Sequence, residues 1–374
     1  MSYITDIGIQ CSIANNTEDF IKNLRLGKSG EITSNTICPE IHLKLPTLCT
    51  SQEKLNKELV LEQIKKDAKN ILSQIFTRKK INIDFVLLGS CDEVGEWLDT
   101  DFNFKEIYTQ ILNYEFGIQV EEEKFINIHS SCSTGNNLLI QAHKLIENNY
   151  AENVLVIAHE APMFPEYLMQ LASIGAMNEN NFIAGKASRP FSKNRSGFVK
   201  GDGSACMILA KTKSDEFYAI YSGGFQNNDA NEIMRSQKDG FYMNQCIEES
   251  LLEAKINYPQ LDFISAHGTS TSVNDEIEAK LIEKLNRKHQ SYPFVNALKS
   301  QIGHTNIACG LIEAAACALM LKHNFIAPTI NIDSKEVEFD IIINTNIVYK
   351  ELSYCLSLSF GFGGVNSSIV LAKE

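Results

Sequence analysis

Short apolar runs alternate with helix-spaced segments along this chain, and that alternation restricts the fold to helices layered on sheets. Ile4-Thr5-Asp6-Ile7-Gly8-Ile9, Phe85-Val86-Leu87-Leu88-Gly89, Val154-Leu155-Val156-Ile157-Ala158, Phe217 to Gly224 and Phe263-Ile264-Ser265-Ala266 read as strands. Apolar spacing predicts helices over Glu18 to Leu26, ended by Gly27, over Asn136 to Ile146 and over Gly240 to Ala254. Residues 29 to 60, with Pro39, Pro46 and many Ser and Thr, read as loop with a short helix. At 374 residues the chain is long for one core. A polar loop, a small-residue helix start and a long apolar helix follow one another twice, from Cys132 to Leu145 and from Gly303 to Met320. No literal repeat accompanies them, so two similar halves, 1–215 and 216–374, are an expectation from pattern.

Composition narrows the function. The 44% of hydrophobic residues can fill a large core, yet no stretch approaches the roughly 18 apolar residues of a membrane span. Met1-Ser2-Tyr3-Ile4-Thr5-Asp6 lacks the basic-then-apolar opening of a signal peptide, so a cytoplasmic protein off the membrane is expected. The ten cysteines are scattered without Cys-x-x-Cys spacing, which indicates reduced thiols and no zinc site. A net charge of −12 argues against nucleic acid and offers no general attraction to an acidic partner.

One cysteine stands apart by position. Cys132 lies in Ser-Ser-Cys-Ser-Thr-Gly, between the predicted strand Phe125 to Ile128 and the helix from Asn136. A thiol at a helix N-terminus is expected to have a lowered pKa and to act as a nucleophile, although most free cysteines are buried structural residues. Two histidines supply company. His267 opens His-Gly-Thr-Ser-Thr at a strand end, and His304 closes Lys-Ser-Gln-Ile-Gly-His after the strand Phe294 to Ala297. Loops at strand ends are where sites assemble in α/β folds. Near the C-terminus, Ser-Phe-Gly-Phe-Gly-Gly-Val-Asn (Ser359 to Asn366) lets the backbone approach a ligand closely, and it lacks the lysine and serine of a phosphate loop.

Together these segments resemble the β-ketoacyl-[acyl-carrier-protein] synthases of the thiolase-like superfamily. Ala187-Ser188-Arg189-Pro190-Phe191, Arg195-Ser196-Gly197-Phe198, Gly201-Asp202-Gly203 and Pro328-Thr329-Ile330-Asn331 extend the resemblance over nearly the whole chain. It implies an α/β thiolase fold, duplicated as five αβαβα layers. It also implies catalytic Cys132, His267, His304, Lys299 and Glu313, with an oxyanion hole at Cys132 and Phe362. Thr269, Thr271, Phe360, Phe362 and Gly363 are the implied contacts to substrate and its phosphopantetheine arm. The implied reaction condenses an acyl group on Cys132 with a malonyl thioester, with loss of carbon dioxide, in fatty acid or specialised polyketide or polyene synthesis. No cofactor of its own is implied, since phosphopantetheine belongs to the acyl carrier protein. A homodimer, or a heterodimer with a chain-length factor, is the implied assembly.

Departures from the family pattern concern the surroundings of the site. Gln119-Val120-Glu121 replaces a Gly-Pro, Ser196 an aspartate and Leu298 a threonine, and the region before Cys132 is short. Asn178-Glu179-Asn180-Asn181 stands where relatives carry arginines that meet the carrier protein, so steering is expected to weaken or move to Lys65, Lys66 and Lys69. Two other readings compete. A coenzyme A-dependent thiolase-type enzyme would carry a second cysteine or an asparagine where this chain has Gly361-Phe362-Gly363-Gly364 and His304. A chain-length-factor-like subunit would usually lack the nucleophile.

Overall fold

A computed structural model describes residues 1–30, 32–38, 43–48, 57–91, 102–162, 165–178, 186–233 and 237–374. The first half runs β1 (Ser2–Cys11), α1 (Thr17–Arg25), β2 (Ile32–Cys38), β3 (Leu43–Leu48), α2 (Lys57–Phe76), β4 (Phe85–Ser90), α3 (Phe104–Phe116), β5 (Phe125–Asn127), α4 (Thr134–Glu147), β6 (Asn153–His159), α5 (Pro165–Ser173), β7 (Lys200–Gly201) and β8 (Gly203–Ala210). The second runs β9 (Ala219–Asn228), α6 (Phe241–Glu253), β10 (Phe263–Ser265), α7 (Ser272–His289), β11 (Phe294–Asn296), α8 (Lys299–Ile302), α9 (Cys309–His323), β12 (Phe325–Ile326), β13 (Ile342–Ile343), β14 (Val348–Tyr349), β15 (Tyr354–Gly361) and β16 (Val365–Ala372).

Strand order makes the duplication explicit. The large sheet reads β13-β11-β10-β15-β16-β9-β1-β8-β6-β4-β5. With the edge strand β13 left out and the other sheet strands numbered within each half, β5-β4-β6-β8-β1 and β11-β10-β15-β16-β9 both run third, second, fourth, fifth, first. In both, the first three are parallel and the rest antiparallel. The two sets join where β1 pairs with β9, from Ser2↔Tyr221 to Ile4↔Ala219. This is the duplicated α/β thiolase fold.

Three apolar clusters fill the spaces between layers. The central one packs α4 and α9 between the two strand sets, and the outer two lie under α2 and α3 and under α6 and α7. A helix enclosed on every side has no polar face to present, and thirteen of the fifteen residues of α9 are buried. That explains why Asn306–His323 is apolar enough to cross a membrane while 83% of it is buried inside the protein. α4 and α9 cross at two glycines. A methyl on Gly135 would stand 2.1 Å from the Leu311 nitrogen, and one on Gly310 would stand 2.9 Å from the Asn136 nitrogen.

Residues 29 to 60 differ from their reading as loop with a short helix. They contain the antiparallel pair β2 and β3, with β3 also parallel to β7, and the start of the 20-residue α2. Pro46 lies inside β3 and hides the strand from a local reading, because its pairing partner β7 is about 150 residues away.

Candidate active site

Cys132 sits on a turn that its neighbours strain and then pin. Ser131 has φ 53, an uncommon left-handed value for a serine. The Thr134 hydroxyl donates to the Ser131 carbonyl at 2.7 Å and accepts from the Ser130 N–H at 2.9 Å. Ser133 Oγ donates across to the carbonyls of Ser359 (3.1 Å) and Val365 (2.8 Å), fastening the turn to the β15–β16 hairpin of the other half. Asn306 has φ 36 at the corresponding place before α9, and both turns pass through a single 3₁₀ turn into their helix. The local pattern of Ile307 and Cys132 is therefore shared, and only one of the two copies carries a nucleophile.

The thiol is 5% exposed, and burial raises its pKa. The Ser131 hydroxyl 3.8 Å from Sγ, the Lys299 charge and the Phe362 backbone N–H pull the other way without prevailing. The lowered pKa expected from the helix N-terminus is thus corrected, because burial outweighs the groups that would lower it. Cys309, at the start of α9, donates its thiol to the Cys132 carbonyl at 3.3 Å.

Both histidines face that sulfur's cavity as neutral rings of one tautomer. Their rings lie 5.5 Å apart and nearly perpendicular. Burial, then the charge of Lys299, pushes each pKa well below the ordinary value; the other histidine adds to the effect at His267, and Lys200 at His304. Lys299 Nζ lies 3.4 Å from His267 Nδ1, and the Asn306 backbone N–H donates to His304 Nδ1 at 3.1 Å. An ammonium and an amide N–H only donate, so Nδ1 is the acceptor in each ring and Nε2 carries the proton.

Behind His267 lies a buried ion pair. Lys299 Nζ is 2.5 Å from Glu313 Oε1, and both side chains are buried. Burial would lower Lys299, but the carboxylate of Glu313 and its neighbours prevail and raise it, so the lysine stays charged. Burial lifts Glu313 to about 7 against the pull of that ammonium. His267, Cys309 and Glu313 offer ligand atoms within 4.8 Å of one another, but the Lys299 ammonium already supplies that cluster with a cation.

The loop carrying His267 is held by two buried acids of α7. Glu278 accepts the N–H groups of His267 (2.7 Å) and Gly268 (2.8 Å), and Asp275 accepts those of Phe191 (2.8 Å) and Ser270 (3.1 Å). Burial raises both acids, Glu278 to about 7. Thr269 and Thr271 share a hydrogen bond of 2.9 Å beside them.

A cavity of about 530 Å³ gathers Cys132, His267, His304, Thr269, Thr271, Phe360 and Phe362, with Arg195 and the Ile174 to Ala176 segment in its wall. Lys299 and Glu313 lie behind it, and Gly363 turns away. Gly363 and Gly364, at φ 80 and 72, close the hairpin, and the Gly363 N–H donates to the Ile233 carbonyl at 2.6 Å. Lys65, Lys66 and Lys69 are exposed on α2 and do not line the cavity; Lys69 is paired with Glu115 at 2.6 Å. Asn178 is buried and donates to Ser196 Oγ at 2.9 Å, so it presents no surface, while Glu179, Asn180 and Asn181 lie outside the described residues.

Several supporting residues escaped the sequence reading: Glu160, Tyr167, Lys200, Asp275 as an acceptor of loop N–H groups, Glu278 and Asn306. The available signals were a lysine in the apolar run Phe198-Val199-Lys200 and acids three residues apart at a helix start. Neither identifies its partner.

Comparison with known proteins places two family models on the chain. Residues 121–215 match the β-ketoacyl synthase N-terminal domain and 218–333 the C-terminal domain. A 3-oxoacyl-[acyl-carrier-protein] synthase 2 of Coxiella burnetii is 32% identical over 254 residues, which is 66% of this chain and 61% of the relative. The tetracenomycin polyketide synthase ketoacyl synthase alpha subunit of Streptomyces glaucescens is 33% identical over 253 residues, 66% of this chain and 59% of the relative. The matched segment thus spans about three fifths of these relatives. Among solved structures, a type II polyketide acyl-carrier protein in complex with its ketosynthase includes a chain of the same fold, with TM-score 0.87, 24% identity and coverage of 100% and 99% of the two chains. The ishigamide ketosynthase/chain length factor gives 0.82, 20%, and 100% and 99%. With the N- and C-terminal domain models matched in order over residues 121–215 and 218–333 and the fold shared throughout, this chain belongs to the β-ketoacyl synthase family.

Proposed function

We propose that this protein is a decarboxylating β-ketoacyl synthase acting on thioesters carried by an acyl carrier protein. The observation that carries the reading is the meeting of Cys132 with two neutral imidazoles, each holding its proton on Nε2, in one cavity. Cys132 sulfur attacks the acyl thioester carbonyl; its S–C bond forms, the carrier's C–S bond breaks, and the thiol proton passes to the departing carrier thiol. A malonyl thioester then takes the freed space beside Thr269 and Thr271. Its carboxylate leaves as carbon dioxide, and the electron pair moves onto the thioester oxygen, where the Nε2–H groups of His267 and His304 stabilise the enolate. The enolate carbon attacks the acyl-Cys132 carbonyl. The backbone N–H groups of Cys132 and Phe362 hold the oxyanion until the Cys132 thiolate departs and the β-ketoacyl product remains on the carrier.

Lys299 and Glu313 act from behind His267, and Phe360 and Phe362 shape the acyl space. The open edge of β5, where Ile126 is exposed, supports pairing with a second ketosynthase-like chain, the same or a chain-length factor. Residues 1–215 and 216–374 serve as the two halves, in a cytoplasmic protein. Mass spectrometry of the purified protein with malonyl and acyl carrier proteins tests the reading: acyl-Cys132 and a β-ketoacyl product support it, and acylation elsewhere or no condensation overturns it.

A further inference from the structure

The side of His304 that faces away from the cavity is backed by a second buried ion pair. Lys200 Nζ lies 3.1 Å from Glu160 Oε1, and both side chains are wholly enclosed. Burying two charges costs desolvation that their attraction rarely outweighs, so the pair is a poor device for stability alone. Beside the bond from the Lys200 ammonium to the Gly201 carbonyl, its hydrogen bonds converge on one turn. Glu160 Oε2 accepts the Ile307 N–H at 3.2 Å, and Glu160 Oε1 accepts the Tyr167 hydroxyl. That hydroxyl accepts Asn306 Nδ2 at 2.8 Å, and Lys200 Nζ stands 5.3 Å from the centre of the Tyr167 ring. Asn306 is the residue at φ 36 whose backbone N–H donates to His304 Nδ1. The backbone on either side of Lys200 grips His304 as well: the His304 N–H donates to the Val199 carbonyl at 2.7 Å, and the Gly201 N–H donates to the His304 carbonyl at 3.0 Å.

We propose that Lys200, Glu160 and Tyr167 form a positioning relay that fixes the Asn306 turn and thereby holds His304 with its Nε2 proton toward the cavity. The relay does for His304, through Tyr167 and Asn306, what the Lys299–Glu313 pair does directly for His267. Its catalytic consequence rests on the condensing reading above; its effect on the ring does not. The Lys200 charge also opposes protonation of His304. Two imidazoles 5.5 Å apart that serve one developing charge thus have separate supports, so neither depends on the other for its tautomer.

The test reads the ring itself and the reaction separately. Protein labelled with ¹⁵N-histidine, with His304 assigned by its loss in His304→Gln, reports the tautomer and titration midpoint of that ring. Tyr167→Phe removes one hydroxyl and no charge, so it keeps the test available should Lys200→Met fold poorly. In Tyr167→Phe the Nδ1–H tautomer is expected to gain population, and in Lys200→Met the midpoint is expected to rise by about one pH unit or more. Decarboxylation of malonyl carrier protein is expected to fall about tenfold or more in either variant, with acyl loading of Cys132 falling less. A folded variant of each kind with the His304 tautomer and midpoint of the unaltered protein overturns the relay. Absence of decarboxylation in the unaltered protein overturns the condensing reading instead, and the spectra still decide the relay.

Discussion

Lys299 holds His267 by its far nitrogen: the ammonium stands 3.4 Å from Nδ1 while its other contact, Glu313, lies 2.5 Å away. A point charge so placed fixes which nitrogen of the ring can donate into the cavity, and it does so without touching substrate. Lys299→Met is therefore expected to lower the condensation rate about 100-fold, in the range of a lost oxyanion donor. Loading of Cys132 should fall less. Single-turnover measurement of the two half-reactions checks this, and equal losses in both would show that Lys299 supports the fold instead.

Burial gives Cys132 a raised pKa, so its reactivity should be gated by access and pH together. Among the eight cysteines whose side chains are described, all buried, Cys132 is the one that lines the cavity. Iodoacetamide is expected to label it first, with a rate that still climbs with pH through the ordinary thiol range. A rate already level at neutral pH would refute the raised value. Cys132→Ala should abolish both labelling at that site and acyl transfer.

Gly135 and Gly310 let the two central helices touch, and no side chain can give way there. The atom opposing a methyl on Gly135 is the Leu311 backbone nitrogen, 2.1 Å away. Gly135→Ala should cost about 3 kcal/mol or more by overpacking. Urea unfolding followed by circular dichroism measures it, and a loss under about 1 kcal/mol would mean that the helices can separate at little cost.

His159 provides a pH signature unrelated to catalysis. Its ring is fully enclosed beside Phe104, with Nδ1 2.7 Å from the Tyr108 hydroxyl, and burial lowers its pKa from 6.5 to about 3. The unfolded chain binds this proton more readily than the folded one between those values. Stability is therefore full above pH 6.5 and falls as pH drops toward 3. The slope from this one group is about 1.4 kcal/mol per pH unit. The buried acids Glu278 and Glu313 titrate with the opposite sign, so the comparison must be made against His159→Gln, in which their contributions cancel. The gap between the two proteins should close or invert as pH falls, and a gap independent of pH would show that the folded ring takes up its proton as readily as the unfolded one.

Legibility in the sequence followed the range of the interactions. The β4 and β6 runs were readable because strands buried on both faces are nearly all apolar, and α1 because Gly27, at φ 60, ends it. Cys132, His267 and His304 were legible as residues in Gly- and Ser-bearing turns after strands. β2 and β3 were not, since Pro46 masks the alternation and β3 takes its other partner from the distant β7. Lys200 and Glu160 were not legible either, because an ion pair between residues 40 positions apart leaves no mark on local periodicity.

The sequence alone determined the α/β layering, the three turns that hold Cys132, His267 and His304, and the largely apolar α9. These depend on propensity and on which residues shun water, and both are written residue by residue. Tertiary structure decided the shared third, second, fourth, fifth, first strand order, the raised pKa of Cys132 and the proton on each Nε2. Those depend on desolvation, on Lys299 and Phe362 of the second half reaching Cys132, and on the folded turn that aims the Asn306 N–H at His304 Nδ1, and such quantities exist only once the chain has closed around the site.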